Sequence, residues 1–526
     1  MIPYKPSPTL HDFHMDDRFV RGVMGPFGSG KSCGMCQEIY LRCLSMRARE
    51  DGVKRSRWAI VRNTKEQLRD TTLRTWLDWF PDGIMGHWAS TDMTYHLKYR
   101  DEIYGSVEAE ILFRALDKPD DVKKLLSLEL TGGFVNEARE VPWAIIDGLT
   151  GRVGRYPRYR DFMHVKPDNV VEEFNEDGEE TGLWLFPDGS EWDPYWSGII
   201  MDTNPPDEDH WWYNKFEVQA YEDEQVGELY KVFKQPPAVL RVDKRWKTNP
   251  RAENLKNLKP HYYENMVVGK DPEWIKVYAE GKYGVVSDGR PVYAGYNDEL
   301  HCKEFDIDPR LDVYIGWDYS FLGQACVLAQ CSPRGQLRIF REFVGEDTGI
   351  GLHDFVLNAV KPGLADIEVG LPPIRGVPSH ITYAASTGDP AGAKRGDLDE
   401  KFALEMLNDG YQDMQCKLPF ETYPADTNAL SPRLEGVNHY LNRMIDGAPA
   451  FLLHPRCKTL RKGFMGRYEF GRVQVVGEER YKDQPKKNKF SHPQDALQYL
   501  CRGILCDVQE EQQTRKQRVG ESYYSG

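Results

Sequence analysis

The 526-residue chain has no unbroken apolar run of the roughly twenty residues that a membrane-spanning helix needs, so no such span is expected. Its opening stretch, MIPYKPSPTLHDFHMDD, lacks a basic start, an apolar stretch and a small-residue cleavage site, and secretion is not expected. Cysteine is sparse: ten residues, scattered at positions such as Cys43, Cys302, Cys326 and Cys457, do not make a disulfide framework and suit a reducing compartment. The closest pair, Cys33 and Cys36, has the spacing of half a zinc site but no matching second pair, and reads as two helix cysteines. Positive charge is also short, with Lys+Arg at 68 against Asp+Glu at 82 and a net charge of −14. That balance excludes a general attraction for a polyanion, so any contact with nucleic acid has to be local. Three basic clusters could supply it: KRSR (Lys54 to Arg57), RVGRYPRYR (Arg152 to Arg160) and PKKNK (Pro485 to Lys489). Each taken singly reads as solvated surface charge.

With 40% hydrophobic and 29% charged residues, the composition is that of a globular protein, and the length exceeds what one hydrophobic core serves. The expected division is residues 1–248 as one domain, 249–284 as a polar helical junction, 285–508 as a second domain and 509–526 as a flexible polar tail. Within the junction, Asn249-Pro250 and Asp271-Pro272 each have the punctuation of a helix start. There is no internal repeat.

In the first domain, the apolar run from Phe19 to Met24 predicts a buried strand, and CGMCQEIYLRCL predicts a helix. Between them stands GPFGSGKS, comprising Gly25, Pro26, Phe27, Gly28, Ser29, Gly30, Lys31 and Ser32. Strand, glycine-rich loop and helix in that order form a phosphate cradle: backbone N–H groups face the phosphates, Lys31 reaches the β/γ-phosphates and Ser32 ligates magnesium. SRWAIVRN predicts a second strand ending at Arg62, whose side chain reads equally as a site cation or a surface one. Hydrolysis also needs an acid beside the γ-phosphate to position water, and Glu137 in LTGGFVNEAREV is the candidate. Asn136 stands where a magnesium-organising aspartate is expected. A further apolar run, Trp196 to Met201, leads into DTNPP, where Thr203 and Asn204 are candidates for sensing the γ-phosphate, although Asn-Pro-Pro is also a turn signal. Arg139, Arg152 and Arg155 are alternative candidates for an arginine finger acting on a neighbouring subunit, and the sequence does not choose among them.

The second domain offers acids at element ends. DVYIGWDYS predicts a strand ending in Asp318, with CVLAQC and LRIFREF continuing as antiparallel strands. ITYAAS leads to TGDPAG and Asp389, and SHPQDALQYLCRGIL predicts a helix with Ser491 as N-cap and Asp495 near its start. Asp318, Asp389 and Asp495, from two strand ends and a helix, suit two divalent cations flanking a phosphodiester. Glu342, at the end of the third strand, reads as an exposed edge residue rather than a further acid of the site.

GPFGSGKS, FVNEARE, TNPP, GWD, TGDPAG and SHPQDAL, in that order from about Phe13 to about Gly503, resemble the large terminase subunits of tailed phages. The resemblance implies an α/β protein, with an N-terminal P-loop ATPase of the additional-strand class, a short linking subdomain and a C-terminal nuclease of ribonuclease H fold. It implies that Lys31 and Ser32 hold ATP and Mg2+, that Glu137 activates water, and that Thr203 and Asn204 couple hydrolysis to movement. Asp318, Asp389 and Asp495 would hold Mg2+ or Mn2+. Double-stranded DNA, the portal protein, the small terminase subunit and further copies of the chain in a ring are the implied partners. The implied setting is the cytoplasm of the infected host cell, without a stable place in the mature virion. A helicase-nuclease of DNA repair or recombination working without a capsid, and a non-enzymatic portal-docking module, are the competing readings.

Overall fold

The apolar run ahead of the glycine-rich loop is a wholly buried strand, β1 (Val20–Met24), in the computed structural model. The structure describes residues 3–101, 103–116, 122–125, 127–175, 178–285, 289–319, 323–345, 351–371, 381–390, 401–410, 413–473 and 480–506. The chain divides into two compact units, Met1–Gly284 and Val285–Gly526. The tail 509–526 lies outside the described residues.

In the first unit, β1 is joined by β2 (Val53–Arg62), β3 (Gly86–Ala89), β4 (Thr94–Asp101), β5 (Gly105–Ala115), β6 (Gly132–Asn136), β7 (Gly198–Thr203) and β8 (Tyr230–Lys234). They form one sheet in the order β8-β1-β7-β6-β2-β5-β4-β3. The six strands from β8 to β5 pair in parallel, and β4 and β3 extend the edge antiparallel. Parallel strands covered on both faces need apolar residues of both parities. Thus Val23, Ile60, Phe134 and Ile200 enter one core, while Ala59, Val61, Val135, Ile199 and Met201 enter the opposite one.

Helix α1 (Lys31–Ser45) leaves the loop and buries Met35, Cys36, Ile39 and Cys43. The two closely spaced cysteines are free thiols of this helix. It also buries Glu38, which binds Arg21 of β1 at 2.7 Å, Arg42 at 2.7 Å and His14 at 2.6 Å. Burial pushes the Glu38 pKa up, but His14, Arg21 and Arg42 outweigh it and hold it at about 2 rather than 4.5. Replacing Glu38 with Gln strands a wholly buried guanidinium, and loss of one partner of such a pair costs about 3–5 kcal/mol. Because the folded pKa is depressed, that contribution is complete above pH 4.5 and fades as pH falls toward 2. Chemical unfolding of wild type and Glu38→Gln should therefore differ by a constant amount from neutral pH to about 5 and converge in acid. A gap that widened in acid would contradict the network.

Residues 249–284 fall within the first unit, where Ala252, Tyr263, Val267, Ile275 and Ala279 share a small core with Ala238 and Val239. Asp271 caps the helix Pro272–Tyr278 by accepting from the N–H groups of Glu273 and Trp274. Asn249-Pro250 does not start a helix: the Asn249 side chain accepts from the Arg251 N–H at 3.0 Å, closing a local turn that satisfies the backbone without one.

The second unit centres on a six-stranded sheet of β9 (Val313–Asp318), β10 (Ala325–Cys331), β11 (Leu337–Val344), β12 (Tyr383–Gly388), β13 (Thr422–Pro424) and β14 (Phe451–Leu453). The order is β13-β12-β9-β10-β11-β14. β9, β10 and β11 are antiparallel neighbours, whereas β12, β13 and β14 pair in parallel with theirs. Along β10 the period of two is explicit: Ala325, Val327 and Ala329 face one core, and Cys326 and Leu328 the other. Helix α2 (Leu430–Leu441) and helix α3 (491–506) contribute to the first of these cores. On β9, Gly316 has no room for a side chain, since a Cβ there would meet the Ala496 carbonyl and Leu500. This close approach brings α3 onto the strand that ends at Asp318.

Two expectations about this unit change. The helix at 491–506 already includes Ser491, whose hydroxyl bonds Asn488 rather than serving as the N-cap. Glu342 is half-buried, not an exposed edge residue. It accepts from the N–H groups of Thr459 and Leu460 at 2.6 and 2.8 Å, the start of a short helix, where backbone donors have no partner of their own.

Candidate functional site

In the first unit, Gly28 and Gly30 have φ of 70° and 84°, a left-handed conformation that glycine adopts without strain and that lets the loop curl before α1. The Lys31 amine is buried and donates to the carbonyls of Gly25 at 3.1 Å and Pro26 at 2.7 Å. Burial lowers its pKa, with Glu137 and Asp202 acting the other way. The loop is held from several sides. Asn204 Nδ2 donates to the Gly25 carbonyl at 2.7 Å, Gln235 Nε2 donates to that of Ser29 at 3.1 Å, and Asn254 Nδ2 donates to that of Gly28 at 2.7 Å. Phe27 stacks on Tyr278 with ring centroids 4.3 Å apart. The stretch 249–284 thus touches the glycine-rich loop directly.

At the far side of the loop, the ends of β6 and β7 meet Ser32. Its hydroxyl donates to Asp202 Oδ2 at 2.6 Å, and Asn136 Nδ2 lies 2.8 Å from Asp202 Oδ1 and 3.2 Å from Ser32 Oγ. Arg62 is a buried cation of this cluster rather than a surface one, donating to Asn136 Oδ1 at 2.9 Å. Glu137 follows β6 in a left-handed conformation, φ 52° and ψ 58°, which is uncommon for a residue with a side chain. Burial raises its pKa and Asp202 raises it further, against Lys31 and Arg62. Thr203 Oγ1 accepts from the Arg139 N–H at 3.2 Å, and the Thr203 carbonyl accepts from the Gly25 N–H at 3.2 Å. Arg139 Nη1 donates to the Pro205 carbonyl at 3.2 Å, and its guanidinium lies 5.5 Å from the Tyr278 ring centroid. Arg152 is half-buried and Arg155 exposed.

In the second unit, Asp318 ends β9, Asp389 follows β12 and Asp495 lies in the first turn of α3. Asp318 and Asp495 are buried, and Asp389 is half-buried. His492 Nδ1 lies 2.9 Å from Asp318 Oδ2, Lys487 Nζ donates to Asp495 Oδ2 at 2.5 Å, and Arg433 of α2 is 3.5 Å from Asp495 Oδ1. A polar chain links the remaining acid: Asp389 accepts from Asn428 at 3.1 Å, Asn428 from Tyr499 at 2.8 Å, and Tyr499 from Arg433 at 2.8 Å. Burial pushes the Tyr499 hydroxyl far up; Arg433 opposes this, and Asp389, Asp495 and Asp318 all add to it. All three acids therefore act electrostatically on one hydroxyl. Asp318 is raised above the ordinary range by burial, with His492 opposing and Asp495 adding.

Among the described residues, the group of three possible ligands with donor atoms within 4.8 Å of one another is His353, Asp413 and Cys416, not the three aspartates. A pair of cations spaced about 4 Å apart can draw on donors spread more widely than that. The aspartate set fits hard divalent cations on two grounds. Its donors are carboxylate oxygens, and the chain itself brings the cations of Lys487 and Arg433 against them.

Several members of these sites carry no role in the sequence reading. His492 had a signal, lying three residues before Asp495 on the same helical face, within SHPQDAL. Asp202 borders the expected Thr203–Asn204 pair, but its role depends on which strand lies beside it. Arg433, Asn428 and Tyr499 leave no local trace. Of the basic clusters, Arg55 and Arg57 face Glu108 and Glu110 on the neighbouring β5, and Lys487 of PKKNK reaches the acid site.

No protein-family model matches the chain, and no curated protein does. Among solved structures, the large terminase of a thermophilic bacteriophage matches at 13% identity and a TM-score of 0.36, covering 95% of this chain and 100% of that one. The same protein in complex with ADP matches at 14% identity and 0.36, covering 95% and 100%. The large terminase of bacteriophage HK97 matches at 13% identity and 0.35, covering 95% of each chain. The chain is thus similar to large terminase structures from several phages over most of its length, at identities that assign it no activity.

Proposed function

We propose that the chain is the large subunit of a tailed-phage terminase, an ATPase that drives double-stranded DNA through the portal into a procapsid and a metal-dependent endonuclease that cuts concatemeric DNA. The observation that carries the reading is the presence of two separate polar sites on one chain. One is a glycine-rich loop with Ser32, Glu137 and Asp202 around it; the other is Asp318, Asp389 and Asp495 at element ends, bonded to His492, Asn428, Lys487 and Arg433.

The first unit reads as an additional-strand P-loop ATPase, supported by β7 lying between β1, which feeds the loop, and β6, which ends beside Glu137. Lys31, the loop N–H groups and the start of α1 bind the phosphates of ATP. Glu137, half-buried with a raised pKa, orients the attacking water. Thr203 and Asn204 bond to Gly25 through the Thr203 carbonyl and the Asn204 amide, so a shift of the loop on hydrolysis is felt at the end of β7. Arg139, Arg152 and Arg155 remain alternative trans-acting arginines, of which Arg155 is the exposed one.

The second unit reads as ribonuclease H-like, supported by three antiparallel strands flanked by parallel ones around β9. Asp318, Asp389 and Asp495 would hold Mg2+ or Mn2+, which when bound activates water and stabilises the leaving oxygen. His492 and Arg433 orient the acids, and Lys487 balances their charge before a cation enters. A grip on the DNA phosphates suits a motor that has to advance over every base pair. The small terminase subunit and other copies of the chain in a ring complete the machine, in the host cytoplasm and outside the mature virion.

Purified protein given ATP, linear plasmid and Mn2+ or Mg2+ tests the two activities together. Both ATP hydrolysis and cation-dependent cleavage are expected; absence of both would leave only a docking module.

A further inference from the structure

We propose that Asp202 at the end of β7 supplies the magnesium-organising carboxylate that the end of β6 lacks, and that Asn136 and Asp202 are an exchanged pair. The inference rests on the reading of the loop as an ATP site and names the residue that completes it. In P-loop ATPases the hydroxyl of the loop Ser or Thr and an acid on a nearby strand end hold the magnesium together. Residue 136 stands at that strand end and is an amide. The sheet register pairs Asn136 directly with Asp202, so the carboxylate has moved by one strand and stayed at the same level.

Its contacts suit the role. Asp202 is fully buried, and its Oδ2 accepts the Ser32 hydroxyl at 2.6 Å. Its Oδ1 accepts the Glu137 N–H at 3.0 Å and Asn136 Nδ2 at 2.8 Å. Those bonds fix the carboxylate against the loop. Asn136 in turn is matched to an acidic neighbour: its amide donates to Asp202 and Ser32, while its carbonyl oxygen accepts from Arg62 at 2.9 Å and Thr72 at 2.6 Å. An aspartate at 136 would set a second carboxylate against Asp202, where nothing but a proton or a cation could separate them. With asparagine there, a single carboxylate faces Ser32 from the ends of β6 and β7, and the amide aims it at the Ser32 hydroxyl.

Calorimetric titration of the full chain with ATP-γ-S, in EDTA and across Mg2+ concentrations, tests this. Wild type is expected to bind more tightly as Mg2+ rises. In Asp202→Asn the Mg2+ concentration needed for that tightening should rise about tenfold or more relative to wild type. The double variant Asn136→Asp/Asp202→Asn returns the acid to β6 and should recover most of the Mg2+ response, which a merely structural role of Asp202 would not allow. A wild-type Mg2+ response in Asp202→Asn overturns the proposal. So does an equal loss in EDTA and Mg2+ that the double variant fails to restore. Failure of wild type to bind nucleotide under any condition would instead overturn the ATP-site reading itself.

Discussion

Lys31→Ala is expected to abolish ATP hydrolysis and to leave cation-dependent DNA cleavage in place. The amine is buried against the carbonyls of Gly25 and Pro26 and so sits at the loop that faces the phosphates. Alanine removes the cation that stabilises the charge developing on the transferred phosphoryl group. Loss of a single preorganised donor of this kind lowers turnover by about 10²–10³-fold, and a full charge exceeds that. Steady-state phosphate release measures it, with plasmid cleavage in Mn2+ as the internal control, because Asp318, Asp389 and Asp495 all lie in the other unit. Hydrolysis at the wild-type rate would remove GPFGSGKS from the nucleotide site.

Asp318→Asn combined with Asp495→Asn is expected to give the converse pattern: cleavage lost, ATP hydrolysis kept. Both side chains are buried, and each holds a cationic or protonatable partner, His492 for Asp318 and Lys487 with Arg433 for Asp495. Amides retain the shape and remove the negative charge that holds divalent cations. The stabilisation that such cations give to a phosphodiester transition state is several kcal/mol, so cleavage should fall by about a thousandfold or more. The single variant Asp389→Asn, at a half-buried position, checks that the third acid belongs to the same set. Supercoiled plasmid nicking over a Mn2+ series is the readout, and persistent cleavage by the double variant would mean that the three acids do not form the nuclease site.

These expectations draw on features of very different legibility. The phosphate loop is readable because its chemistry is local: a buried strand, three glycines, a lysine and a serine, and a helix follow within one stretch of chain. The strand ends at Arg62 and Asp318 are readable for the same reason, since an apolar run followed by a charge marks where a strand ends, although both side chains are buried. Asp202 carries the same mark after the run that ends at Met201, but its place beside Ser32 is not legible. Its role follows from β7 pairing between β1 and β6, a long-range arrangement that no local pattern in IIMDTNPP encodes. Arg433 and Asn428 belong to the acid site only because α2 and its preceding turn pack beside α3. Asn249-Pro250 misleads in the opposite sense, since an asparagine can close its own turn as readily as it starts a helix. Glu342 misleads because a charge at a strand end looks exposed until the helix it caps is known.

Incubating the full chain with empty procapsids bearing portal, linear DNA and ATP, followed by external DNase, measures whether ATP hydrolysis by this chain moves double-stranded DNA into a capsid. DNase-protected DNA that requires ATP and vanishes in Lys31→Ala is expected. Unprotected DNA, accompanied by ATP-dependent strand separation without any capsid, would rule out a packaging motor.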